Sequence, residues 1–95
     1  MKFISLTPST RKTKKYMINL QTDDDNIKTI HFGSIDSKTY IDHHDKNKKH
    51  NYLKRHMKNE DWDNVNAGSL SAFILWGPTT NLNENLKLYI KRFKI

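Results

Sequence analysis

Cysteine is absent from this 95-residue chain. That absence removes a disulfide framework, a Cys-ligated zinc finger, an iron–sulfur site and thiol catalysis, and leaves packing, a partner or a bound ion to stabilise the fold. Glycine and proline are scarce, at 3 and 2 residues. No GxxxxGKS/T, GxGxxG or GxSxG motif occurs, so the chain has no glycine-rich phosphate cradle and no nucleophile elbow. No apolar run approaches the ~18 residues of a membrane-spanning helix, and Met1 to Leu6 are too short an apolar run for a signal peptide. A soluble, intracellular chain is expected. With 35% hydrophobic residues and a mean hydropathy of −0.88 the core must be small, yet two Trp, four Tyr and four Phe argue for a folded domain.

What the chain has in excess is positive charge, +7 at neutral pH, and it comes in blocks. Residues 1–22 carry five Lys or Arg and no acid, whereas residues 23–45 carry six Asp against Lys28 and Lys38. Residues 46–58 then add six bases without an acid, 59–86 four acids without a base, and 87–95 four bases. A pI near 9.7 makes nucleic acid or an acidic protein surface the natural partner, because each cation set against a phosphate releases a counterion. A basic face that serves only solubility has the same composition.

Hydropathy periodicity predicts an α+β fold, a single small domain in which an N-terminal β-hairpin packs against two or three helices. In KKYMINLQ (14–21) Tyr16, Ile18 and Leu20 alternate with Met17, Asn19 and Gln21, the pattern of a strand. Asp23 to Asn26 supply turn formers, and KTIHF (28–32) alternates again up to Gly33. Residues 1–13 read as a basic arm outside the domain at 14–95, extended or mobile, with Phe3 to Leu6 able to add a third strand. Tyr52, Leu53 and Met57 recur at helical spacing behind Asp42 or Asp45 as N-terminal residue or cap, which predicts a helix over about 46–58. AGSLSAFILW (67–76) reads as a short buried helix stopped by Gly77-Pro78. Leu82, Leu86, Tyr89, Ile90 and Phe93 mark the strongest helix, opened by Asn81 and Glu84. The expected core is Ile18, Leu20, Ile30, Phe32, Leu53, Trp62, Phe73, Trp76, Leu86, Ile90 and Phe93.

Two clusters are candidates for chemistry. Asp42, His43, His44, Asp45 and His50 are the metal-ligand types left to a protein without cysteine, but adjacent histidines on a regular element cannot aim at one ion and no HExxH spacing occurs, so no metal site or cofactor is predicted. Asp23 to Asp25 lack the spacing and final Glu of a calcium loop and read as a turn. With no catalytic constellation and little room for a pocket, no enzyme activity is expected. The better candidate is the basic helix KNKKHNYLKRHMK, where Lys46, Lys48, Lys49, Lys54, Arg55 and Lys58 are placed to bind phosphates or an acidic protein, with Tyr52 and Trp62 as possible base-stacking rings.

HFGS (31–34), the run from His44 and Asp45 through Lys49, Tyr52, Arg55 and His56, then Glu60, Trp62, Ala67-Gly68 and ILWGPT (74–79) together resemble a family of small uncharacterised basic proteins encoded by giant DNA viruses. The resemblance spans about residues 14–93. It departs from the family pattern in the HHD segment and in Ser69-Leu70, where aromatic residues often follow the AG pair. The resemblance implies a non-enzymatic virion structural or interaction module, a minor capsid or nucleoid component, in the virion or the cytoplasmic viral factory. Its partners would be other virion proteins or an acidic surface, and the alternative is nucleic-acid binding through residues 46–58.

Overall fold

The computed structural model describes all 95 residues, Met1–Ile95, and the α+β expectation holds. Three antiparallel strands, β1 (Lys2–Pro8), β2 (Lys14–Gln21) and β3 (Ile27–Ser34), lie in the order β1-β2-β3. Four α-helical segments follow: α1 (Tyr40–His43), α2 (Lys46–Met57), α3 (Ala67–Leu70), which runs on as a π-helical turn over Ser71–Leu75, and α4 (Leu82–Phe93). None of these helices is long and apolar enough to cross a membrane.

The hairpin forms where the alternation places it. Ile18 pairs with Ile30 and Tyr16 with Phe32, so both strands turn their large apolar residues to one face. The turn closes with Asp25 N–H donating to Thr22 O at 3.0 Å and Asp25 itself at φ 64°, a conformation that Asp tolerates better than most residues. On the other face a polar row crosses all three strands: Thr29 Oγ1 donates to Asn19 Oδ1 at 2.6 Å and Asn19 Nδ2 to Ser5 Oγ at 3.1 Å.

The first eight residues are not an arm outside the domain. Lys2 to Pro8 pair with β2 from Gln21 back to Tyr16, with an irregularity between Phe3 and Ser5. This strand packs Phe3 and Leu6 against the core, which accounts for their apolar character.

The helices close over the sheet with Leu70, Ile74 and Leu75, each fully buried, meeting Ile18, Leu20 and Phe32. At Gly33, with φ +79°, a Cβ would lie only 2.7 Å from Leu75 Cδ1, so the sheet and the π-helical turn touch through a missing side chain. The expected core is right for Ile18, Leu20, Phe32 and Trp76. Ile30, Leu53, Phe73, Leu86 and Phe93 are partly buried around it. Trp62 and Ile90 are also partly buried but lie outside the cluster, whereas Tyr40 and Tyr89 are inside. On α4 the stripe is rotated by one position, because Asn85 and Tyr89 point inward where Leu86 and Ile90 lie at the margin.

Tyr89 carries a polar end into this core, and its hydroxyl pairs with Ser69 Oγ at 2.8 Å. Burial pushes the phenol up to about 12, outweighing the hydrogen bond to Ser69. Because the folded chain holds this proton more tightly than an unfolded tyrosine of pKa 10.0, the contribution is full below pH 10 and is lost as pH rises through 12. Urea unfolding should therefore weaken across that window. The Tyr89→Phe variant should lose about 1 kcal/mol at neutral pH and show a shallower alkaline decline.

Candidate nucleic-acid interface

The basic helix is held by its ends and by one side. Asp45 caps α2, its carboxylate accepting from Asn47 N at 2.9 Å and Lys48 N at 3.2 Å, bonds that hold the carboxyl below its usual range. Just before it, Asp42 Oδ2 accepts from Thr39 N at 2.7 Å and from Lys15 Nζ at 3.0 Å. Burial pushes Asp42 up, but these bonds more than offset it and the carboxyl titrates below its ordinary value.

The inward side of α2 is an aromatic stack. Tyr52 lies between His56, at 4.0 Å, and Trp76, at 4.2 Å and 5° from parallel, and His43 meets Trp76 edge-on at 5.3 Å. Burial, then the Glu60 charge, pushes the Tyr52 phenol up to about 12. Glu60 ties down the far end of the helix, its two oxygens reaching His56 Nδ1 at 3.0 Å and Trp62 Nε1 at 3.1 Å. Neither proposed stacking ring is free for a base. Tyr52 is sandwiched on both faces, and Trp62 gives its N–H to Glu60 and packs edge-on against Phe73.

Beside the stack runs an open groove of about 520 Å³. Lys48, Lys54 and Arg55 come to it from α2 and Lys38 from the loop before α1; Trp76 and His43 contribute the ring surfaces, and no carboxylate lines it. Lys38, Arg55 and Trp76 also line an adjoining groove that adds Lys14 from β2 and the Glu60 carboxylate.

Of the six cations assigned from sequence, Lys48, Lys54 and Arg55 line this groove. Lys46 and Lys49 sit on the other flank of the helix with His50 and Tyr40. Lys49 lies 4.7 Å over the Tyr40 ring, and burial followed by the neighbouring Lys46 charge lowers its pKa. Lys58 is the exposed C-cap. Lys38, which the sequence reading passed over, stands in a loop ten positions from Lys48 and has no periodic signal. His43, His44 and His50 do not converge with acids into a group able to hold a metal ion.

Fold and groove together define a small α+β domain with a cation-lined face built around one helix. Residues 4–56 match the model of a family of unknown function (DUF5754), more than half of the chain, and the protein belongs to that family. The matched part takes in the sheet, α1 and nearly all of α2. No curated protein and no solved structure is matched.

Proposed function

We propose that this protein is a non-enzymatic nucleic-acid-binding module whose groove between α2 and Lys38 takes a phosphate backbone. The observation that carries this reading is the meeting of Lys38, Lys48, Lys54 and Arg55 around one open groove without a carboxylate. The aromatic rings at the site are engaged with one another, which favours contacts to phosphate over stacking on single-stranded bases. The resemblance to small basic proteins of giant DNA viruses supplies a setting, a nucleoid component made in the cytoplasmic factory and packaged in the virion.

Anisotropy titrations over a series of salt concentrations test it. Affinity should fall steeply with salt, and the Lys48→Gln, Lys54→Gln, Arg55→Gln triple variant should reduce the slope of log K against log salt by about 2 to 3. A triple variant that binds with unchanged affinity and slope would sink the reading. An acidic virion protein that binds the same face while nucleic acid does not would replace it with the capsid-contact alternative.

A further inference from the structure

The nucleic-acid reading leaves open how α2 meets its target, and this inference rests on that reading. α2 touches the domain along one side only, where Tyr52, Leu53, His56 and the Lys49 stem are partly covered, and none of its residues is fully buried. At 100° per residue the line opposite that side is Asn47, Asn51, Lys54 and Lys58, spaced i, i+4, i+7 and i+11. All four are exposed, and Asn51 and Lys54 also reach the rim of the groove that holds Lys38. The hydrogen bonds that Asn47 and Asn51 make run through their backbone atoms, to the Asp45 carboxylate and from Arg55 Nε, so both side-chain amides are free.

One shoulder of this crest carries two cations, and the other carries Lys46 and His50 with the exposed Met57 between them. Lys48 and Arg55 face the groove shared with Lys38. Lys46 and His50 face a second groove, of about 390 Å³, on the opposite flank. The helix carries no acid of its own, and the Asp45 oxygen at its cap is engaged by backbone N–H groups. A ridge with two amides and two lysines along its crest, and Lys46 on one side and Lys48 and Arg55 on the other, matches a groove whose walls are phosphate and whose floor is base edges. The B-form major groove, ~12 Å wide, accepts a helix of ~10–12 Å diameter, and an Asn amide pairs with adenine N6 and N7. From Asn47 to Lys58 the crest runs ~16 Å, about half a turn of duplex.

We propose that α2 is a recognition helix that enters the major groove of duplex DNA, with Asn47 and Asn51 meeting adenine edges and the Lys46/His50 and Lys48/Arg55 shoulders meeting the two phosphate strands. The A-form RNA major groove is too deep and narrow to admit it. Single strands offer no groove at all.

The full chain is titrated at one salt concentration against a DNA duplex, an RNA duplex of the same sequence and the DNA single strand. The DNA duplex should bind at least about tenfold more tightly than either alternative, and A·T-rich duplex more tightly than G·C-rich. The Asn47→Ala, Asn51→Ala variant, altered only at exposed positions, should lose that A·T preference while keeping the salt slope. Methyl green, a major-groove ligand, should be displaced from the DNA and netropsin, in the minor groove, should not. Equal affinity for all three probes, or an A·T preference that survives the double variant, would overturn the major-groove assignment and leave phosphate binding standing. Failure to bind any of the three would instead sink the nucleic-acid reading itself.

Discussion

Alanine in place of Asn85 is expected to lower the unfolding free energy by about 3 to 5 kcal/mol, a large fraction of what so small a domain has. The side chain is fully buried and every hydrogen-bonding position on it is used. Its Nδ2 donates to Ile74 O and Thr79 O, both at 2.8 Å, and its Oδ1 accepts from Thr79 N at 3.0 Å and Thr79 Oγ1 at 2.7 Å. One amide on α4 thus ties the end of the π-helical turn to the WGPT loop. Truncation leaves the Ile74 carbonyl and the Thr79 N–H without partners beside an apolar cavity. Urea denaturation measures the loss, and a variant within 1 kcal/mol of wild type would mean that water replaces the amide there.

A methyl group at Gly77 should cost about 3 kcal/mol or more, since overpacking against backbone cannot be relieved by a rotamer change. A Cβ at this position would sit 2.2 Å from the Phe73 carbonyl oxygen and 2.8 Å from Asn85 Cγ and Nδ2. The same denaturation assay reads it. Combined with Asn85→Ala, the Gly77→Ala penalty should be smaller than in the wild-type background, because the amide contact disappears while the Phe73 clash remains. Strict additivity would show that the glycine does not touch the amide in solution.

Local patterns made much of this fold readable. The strand over 14–21 and the helix over 82–93 have the bounds expected from apolar period and capping residues, with Asn81 accepting from Glu84 N at 2.9 Å. The basic helix also starts where Asp45 can cap it. What escaped was decided across the chain. β1 depends on pairing with a strand already formed, and the turn formers after it, Pro8 to Arg11, mark the bend between strands as readily as a free arm. Asn85 does carry a signal in the sequence: it shares a helix face with Leu82 and Tyr89, and an amide in an apolar stripe must find partners. At the site, three of the six helix cations expected to bind phosphate or an acidic protein line one groove, and Lys38 joins them from the loop before α1. Of the two rings that look ready to stack on bases, Tyr52 is stacked on His56 and Trp76, and Trp62 meets Phe73 edge-on.

The π-helical turn has a consequence for descent. Its wide bond, Trp76 N–H to Ser71 O at 3.0 Å, is what a helix acquires when one residue is inserted without unwinding its neighbours. Removing one residue between Ser71 and Leu75 would restore a regular helix with the faces on either side kept, whereas a regular helix that retained all five residues would turn everything after it by about 100°. Leu75 would leave Gly33, Trp76 would leave Tyr52, and α2 would lose the ring it stands on. Relatives one residue shorter here should therefore keep the groove on a regular helix, whereas relatives of this length keep it only with the wide turn, independently of how well their lysines align.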